Sequence, residues 1–166
     1  DQHSDNPRSF EGKKAWQKIL IIASGGIMNL VLGFVLTFIL LINSPAIAST
    51  TIKAFEKDAV SSSTGLMVGD EILKINNSKV HTFRDIAFNI AAFGNSDFDI
   101  EVRRNGQIIN LENVKFKTSE NNGESSPAEI DFFVEPIEKN FINLIKATFS
   151  ETASTIKTVW RSLGGL

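Results

Sequence analysis

The pattern of hydrophobic positions changes sharply along the chain. An apolar run without any charged residue extends from Ile19 to Ile42, and as an α-helix rising ~1.5 Å per residue it is about 36 Å long. This length exceeds the ~30 Å hydrocarbon core of a bilayer, so the run predicts a transmembrane helix over residues 19–42. A secretory signal peptide has a shorter apolar region, and a buried core helix needs a larger surrounding protein than the rest of the chain offers.

After Pro45 the pattern becomes that of a small mixed domain. Phe98, Ile100 and Val102 alternate with charged residues, which predicts a half-buried strand. Asn105 and Gly106 then form a strong signal for a hairpin turn. The remaining predicted elements are a strand at 51–55, a short helix at 59–64, a strand ending before a turn at 76–78, a helix at 83–93 that ends at Gly94, a strand at 108–116, a surface loop at 118–127 and a strand at 130–134 that ends at Pro136.

The last segment, residues 139–163, carries apolar residues at helical spacing. This pattern predicts an amphipathic helix, which can lie on a membrane surface. Packing of the same helix against the preceding domain is an equally good interpretation. The residues of its apolar side are Phe141, Leu144, Ile145, Phe149, Ile156, Val159, Trp160 and Leu163.

Residues 1–18 form a basic flank in front of the apolar run. Four basic residues precede the run and two follow it closely, and basic residues favour the cytoplasmic side of a membrane. The sequence therefore predicts a cytoplasmic N-terminus and an extracytoplasmic domain. The preceding residues are Arg8, Lys13, Lys14 and Lys18, and the following ones are Lys53 and Lys57.

Composition excludes several classes of function. The net charge of -2 and the pI of about 5.7 argue against binding to nucleic acid. The absence of cysteine excludes disulfides and thiolate metal sites. His3 and His81 are the two histidines and lack metal-ligand spacing, and there is no G-x-S-x-G nucleophile motif.

The chain starts without Met and stops at Leu166, so we expect a fragment of a longer protein.

Inside the apolar run, Gly25, Asn29 and Gly33 recur every fourth residue and share one helical face. Small residues allow a second helix to approach closely, and an amide in hydrocarbon requires a polar partner. Two explanations of this face are about equally favoured: it serves helix association alone, or it lies beside a catalytic or transport site.

The central motif is Gly65-Leu66, Gly69-Asp70, Ile72, Ile75-Asn76 and Val80, within GLMVGDEILKINNSKVHTFRDI. Together with the order of elements, it resembles PDZ domains of the bacterial, circularly permuted kind over residues 50–136. The resemblance implies an α+β fold: one transmembrane helix, a circularly permuted PDZ-like domain built as a small β-sandwich or partly open barrel with two helices, and a C-terminal amphipathic helix.

PDZ domains bind an extended peptide as an added strand beside a helix. The resemblance implies a groove between the strand at 130–134 and the helix at 83–93, although core packing is the commoner role of an apolar helix face. Asp131-Phe132-Phe133 stands where the family usually has a glycine, so capture of a peptide carboxylate is not implied. The expected peptide-binding residues are Phe83, Ile86, Ile90, Ile130, Phe132 and Val134.

The flank and the apolar run carry a second resemblance. SFEGKKAWQKIL, followed by Ser24-Gly25-Gly26-Ile27-Met28-Asn29, is similar to the region of site-two-protease-type intramembrane zinc metalloproteases that contains an Ala-Gly-Pro-x-x-Asn motif. Gly26 replaces the proline, so the helix should be less kinked. The resemblance implies that Gly25, Gly26 and Asn29 lie near the active site of the full-length enzyme.

This resemblance implies a zinc metalloprotease of the bacterial inner membrane, multi-pass in its full length. Its HExxH helix and its aspartate ligand would lie outside this chain, so no catalytic or metal residue is assigned here. Expected substrates are membrane proteins such as anti-sigma factors or remnant signal peptides, which the PDZ domain filters or binds. The alternative is a non-catalytic, membrane-anchored PDZ adaptor. A serine protease with a PDZ domain is disfavoured, because residues 43–50 leave no room for a catalytic domain.

Overall fold

The computed structural model describes residues 13–93, 97–121 and 124–164. The predicted helix end at Gly94 and the residues His3 and Arg8 lie outside this part of the chain. In chain order, the elements are α1 (Ala15–Asn43), β1 (Ile47–Phe55), α2 (Val60–Ser63), β2 (Glu71–Ile75), β3 (Ser78–Lys79), α3 (Phe83–Phe93), β4 (Phe98–Arg104), β5 (Gln107–Val114), β6 (Lys117–Asn121), β7 (Glu124–Glu129), β8 (Phe132–Ile137) and α4 (Phe141–Gly164).

Helix α1 is longer than the apolar run that predicts it. It begins at Ala15, so Trp16 and Lys18 of the basic flank are helical. None of its residues is buried, and its mean hydropathy reaches 2.4. By length and composition, α1 can therefore cross a membrane.

The strands form an antiparallel sheet in the order β5-β4-β2-β1-β8, with β3 paired to β2. A second sheet contains β6 and β7. The predicted α+β class is confirmed. The hydrophobic core lies between the larger sheet and one face of α3, where Ile86 and Ile90 are buried with Phe98 and Phe116. The rings of Phe98 and Phe116 pack edge to face at 5.1 Å between centroids.

Two turns explain why the strands connect where the sequence predicts. Asn105 and Gly106 both have positive φ, 51° and 80°, which is the backbone of a two-residue hairpin turn. Asn76 and Asn77 also have positive φ, 45° and 65°, between β2 and β3. Asparagine tolerates this region because its short side chain can bond to its own backbone.

The largest further differences from the predicted boundaries concern three segments. Residues 118–127, predicted as a surface loop, contribute to the β6-β7 hairpin. Strand β1 begins at Ile47 rather than at residue 51, because Ile47 is buried and pairs with Ile137. Strand β8 runs from Phe132 to Ile137 rather than over 130–134, and it includes Pro136. An edge strand tolerates proline, since one of its edges makes no ladder hydrogen bonds.

Candidate functional site

The six residues expected to bind peptide are brought together, and they belong to the core cluster or pack against it. Ile86, Ile90 and Phe132 are at most 4% exposed. Phe83, Ile130 and Val134 are half-buried against the same cluster. Core packing therefore accounts for the three buried residues, while contact of the other three with a peptide stays a prediction.

The strand expected to receive a peptide lies at one edge of the larger sheet. β8 is the last strand in the order and pairs with β1, so its second edge has no partner among the described strands of this sheet. Phe133 on β8 is 58% exposed. Helix α3 packs against β7 as well as β1, so the β6-β7 hairpin covers part of the helix that the predicted groove would use. An extended peptide could add to the open edge of β8 by strand pairing.

Asp131 has a structural role that the sequence did not indicate. It lies just before β8, its side chain is 0% exposed, and its Oδ2 accepts hydrogen bonds from the backbone N–H groups of Val60 (2.7 Å) and Ser61 (3.0 Å). Its Oδ1 accepts a 2.5 Å hydrogen bond from the Ser61 hydroxyl. The carboxylate thus caps the N-terminus of α2 from seventy residues away in the chain. No spacing rule connects such distant positions.

The aspartate of the Gly65 to Asp70 motif forms a buried ion pair. Asp70 is 0% exposed, and Arg104 contacts it through two parallel hydrogen bonds, Nε to Oδ1 and Nη2 to Oδ2, both 2.7 Å. Arg104 Nη2 also donates to the Gly65 carbonyl at 2.8 Å, and the Met67 N–H donates to Asp70 Oδ2 at 2.9 Å. The hydrogen bond to Asp70 raises the pKa of Arg104 above its ordinary value. The motif therefore fixes the loop between α2 and β2 onto the end of β4.

The residues expected near the active site lie on an open face of α1. Gly25, Gly26 and Asn29 are exposed, and a Cβ added at either glycine would meet nothing within 4 Å in the described part of the chain. Farther along the helix, Gly33 and Thr37 are half-buried, and α1 contacts α4. The small-residue face around Asn29 is therefore available to a partner outside this chain.

Helix α4 docks on α3 through its polar side. Ser154, 3% exposed, donates a 2.6 Å hydrogen bond to Asp85 Oδ1 and lies 3.4 Å from the Thr82 hydroxyl. Arg161 donates to Asn89 Oδ1 at 3.1 Å and stacks over the Phe88 ring at 5.3 Å. These contacts fix the rotation of α4 about its axis, because the buried polar groups need their partners.

The apolar side of α4 consequently faces away from the domain. Its large side chains are among the most exposed of the described residues, with Trp160 at 78% and Phe149 at 70%. A soluble domain normally buries the apolar side of such a helix. The packing is the reverse here, which leaves a contiguous apolar stripe of α4 exposed. Its other members, each more than 40% exposed, are Phe141, Ile142, Ile145, Ile156, Val159 and Leu163.

Glu151 sits at the edge of the contact between α3 and α4. Its Oε2 lies 3.2 Å from Arg84 Nε, and this oxygen is buried and accepts no aligned hydrogen bond within the described part of the chain. Burial raises the pKa of Glu151, Arg84 lowers it, and Asp85 raises it, with a net shift upward. The ion pair is therefore poorly satisfied compared with the Arg104–Asp70 pair.

The described residues do not fit a zinc ion. They contain no group of three or more His, Asp or Glu side chains that could hold a metal. His81 is exposed, and its backbone N–H donates to Asp85 Oδ2 at 2.9 Å. The described residues therefore do not form a zinc site by themselves.

Comparison with known protein families shows to which family this chain belongs. The profile of peptidase family M50 matches residues 1–166. The chain belongs to this family. The predicted resemblance to zinc metalloproteases is thus confirmed at the level of the family, and zinc is the metal that its relatives' names imply.

Curated relatives carry consistent names. A candidate zinc metalloprotease of Clostridium acetobutylicum is 32% identical over 98% of this chain and 47% of its own length. Metalloprotease MmpA of Caulobacter vibrioides is 30% identical over 63% of the chain and 26% of its own length. Regulator of sigma-W protease RasP of Bacillus subtilis is 24% identical over 96% of the chain and 37% of its own length. The chain spans less than half the length of these relatives.

Proposed function

We propose that this chain is the part of an intramembrane zinc metalloprotease of the site-two-protease type that joins the membrane region to a substrate-recognition domain. The match of family M50 to the whole chain carries this proposal. The exposed, charge-free surface of residues 19–42 within α1 supports it, since such a surface is stable in lipid and costly in water.

In this proposal α1 spans the bacterial inner membrane and the β-domain lies outside the cytoplasm. The basic residues before the apolar run favour that orientation, Lys13, Lys14 and Lys18 among them. The open face around Asn29 would then pack against the helices of the full-length protein that hold zinc. No step of the hydrolysis is assigned to residues of this chain.

The β-domain would act as a PDZ-like module. The open edge of β8 supports this role, because backbone groups on an edge strand can pair with an extended peptide. Asp131 does not bind the peptide in this proposal, since both of its carboxylate oxygens accept hydrogen bonds from residues of α2. The peptide would be an end of a membrane protein, and the name of RasP makes a regulator of a sigma factor a reasonable substrate.

Helix α4 would lie in the interface of the bilayer on its apolar side. The outward position of Trp160 and Phe149 supports this arrangement, as indole and phenyl rings are favoured at that depth. Brominated lipids should quench the fluorescence of Trp160 in a Trp16→Phe background. Unquenched emission would show that α4 does not touch lipid.

The test of the whole proposal is cleavage of a membrane-anchored substrate by the full-length protein in lipid vesicles. Treatment with a chelator should abolish cleavage, and zinc should restore it. A protein that binds the substrate tail but never cleaves it, with or without zinc, would be the membrane-anchored adaptor instead.

A further inference from the structure

An open cavity of about 460 Å³ lies where α1 meets the β-domain. This volume falls within the ~300–1,000 Å³ of small-molecule sites. The wall on one side comes from the last turns of α1, and the opposite wall comes from the start of α3 and the middle of α4. The residues that matter for its chemistry are Leu40, Leu41, Ile47, Phe83, Arg84 and Glu151.

The two walls differ in polarity. Leu40 on the α1 side is 70% exposed, and the Arg84 side chain on the domain side is 59% exposed. Beside the cavity, Lys139 in the segment between β8 and α4 ties that segment to the end of α1, since its Nζ donates to the Ile42 carbonyl at 3.0 Å and also to the Ser44 carbonyl. The cavity thus combines an apolar surface that continues along α1 with one cation and one carboxylate.

The charged pair has unused capacity for hydrogen bonds. Glu151 Oε2 and Arg84 Nε are 3.2 Å apart but are not aligned as donor and acceptor. Within the described part of the chain, the guanidinium makes one further hydrogen bond, a long one of 3.5 Å from Nη1 to the Thr155 hydroxyl. A ligand that carries both a negative and a positive group could satisfy each charge better than they satisfy each other.

The position of the cavity indicates where such a ligand comes from. The apolar run of α1 ends at Ile42 and is followed by the polar residues Asn43 and Ser44, so the adjoining Leu40 and Leu41 mark the boundary between hydrocarbon and headgroups if α1 spans the membrane. Arg84 and Glu151 then lie at the level of lipid headgroups.

We propose that this cavity binds a phospholipid whose headgroup carries a primary ammonium. Arg84 binds the phosphate, Glu151 accepts hydrogen bonds from the ammonium, and Leu40, Leu41 and Phe83 contact the glycerol and the first part of the acyl chains. The inference rests on the proposed function for the membrane position of α1.

Electrostatic complementarity selects this headgroup over others. A guanidinium binds phosphate with two donors, but a phosphate alone would also approach the Glu151 carboxylate and be repelled. Phosphatidylglycerol has no cation to offset that repulsion, and the trimethylammonium of phosphatidylcholine has no N–H to donate. Phosphatidylethanolamine supplies both a phosphate and three N–H donors.

The test uses the full-length protein, incubated in detergent with an equimolar mixture of phosphatidylethanolamine, phosphatidylglycerol and phosphatidylcholine. Native mass spectrometry then measures the lipids that stay bound. We expect phosphatidylethanolamine to exceed phosphatidylcholine about tenfold, the ratio that one charge-assisted hydrogen bond supplies. Glu151→Gln should remove that preference, and Arg84→Gln should lower retention of all three lipids. Arg103→Gln is the matched control, because Arg103 forms a comparable surface ion pair with Glu71 outside the cavity.

Equal retention of the three lipids would overturn the inference, as would a preference for phosphatidylethanolamine that survives both cavity variants. Alkaline carbonate extraction of membranes containing the same proteins separates the two proposals. If the protein stays in the membrane but shows no lipid preference, only the proposed lipid site is wrong. If the protein is extracted, the proposed membrane position of α1 is wrong.

Discussion

At the scale of single residues, the contrast between two neighbouring arginines shows which charges stabilise the fold. Arg104 pairs with Asp70, whose side chain is 0% exposed, whereas Arg103 pairs with Glu71 at the surface, with side chains 47% and 37% exposed. Removing one partner of a buried pair leaves an uncompensated charge, and removing a surface pair changes little.

We therefore expect Arg104→Met to lower the free energy of unfolding by roughly 3–5 kcal/mol. Arg103→Met should lower it by less than ~1 kcal/mol. Urea unfolding of the protein in detergent micelles, followed by loss of β-sheet circular dichroism, measures both. Equal effects of the two substitutions would mean that the Arg104–Asp70 pair does not anchor the loop before β2.

Glu151 gives a second prediction at this scale, concerning pH. Its pKa is raised in the folded state, so the folded protein binds this proton more tightly than the unfolded chain does. Stability should consequently fall as the pH rises from the ordinary carboxyl pKa of about 4.3 towards the raised value, and stay level above it. Glu151→Gln should remove this part of the pH dependence.

Protection factors for amide hydrogen exchange in α4, which are corrected for the intrinsic pH dependence of exchange, measure the effect, since they should fall as Glu151 ionises. Glu135→Gln, a change at an exposed carboxylate on β8, is the control and should leave the profile unaltered. Identical profiles for Glu151→Gln and the unmodified protein would contradict the prediction.

At the scale of elements, local signals in the sequence predicted some structures well and others not at all. Helix α3 and the hairpin at Asn105-Gly106 follow from periodicity and turn chemistry. The β6-β7 hairpin could not be predicted in this way, because its strands are polar and carry no hydrophobic alternation in the sequence. The cap that Asp131 provides for α2 could not be predicted either, since it depends on a contact between distant parts of the chain.

The rotation of α4 illustrates the same limit. Periodicity identifies its apolar side but does not say whether that side faces the domain or its surroundings. Buried polar partners on α3, Asp85 foremost, decide that the polar side packs inward. The sequence could have shown this only if the pairing of Ser154 with Asp85 had been known.

The two edge strands of the larger sheet allow a matched test of peptide binding. Phe133 on β8 and Ile108 on β5 are 58% and 63% exposed, and the strands lie at opposite ends of the sheet. We expect Phe133→Asp to weaken binding of C-terminal peptides about fivefold, because a buried aromatic contact supplies about 1 kcal/mol or more. Fluorescence anisotropy of labelled peptides measures the affinity.

Ile108→Asp should leave peptide affinity unchanged, since β5 is remote from the proposed site. Both side chains are exposed, so neither substitution opens a cavity in the core, as Phe132→Ala would. Peptide binding that is lost equally in both variants would indicate general destabilisation, and binding retained in Phe133→Asp would exclude the edge of β8.

At the scale of the whole molecule, the small-residue face of α1 around Asn29 and the apolar side of α4 are helix surfaces that the described residues leave open. The proposed function gives the first surface a role, because an intramembrane protease would bring its zinc site and its substrate together between helices. The exposed Asn29 is the residue on that face whose amide most requires a polar partner in lipid.

We expect Asn29→Leu in the full-length protein to lower cleavage of a membrane-anchored substrate about three- to tenfold, the range that one hydrogen bond between membrane helices supplies. Insertion should be unaffected, since leucine is favourable in lipid. Ser24→Leu is the control: it also removes a polar group from α1, but the Ser24 hydroxyl already donates to the Ile21 carbonyl within the helix. Cleavage lowered by Asn29→Leu alone would locate the amide at the interface with substrate or zinc-binding helices. Equal cleavage by both variants and the unmodified protein would leave Asn29 without a role in the reaction.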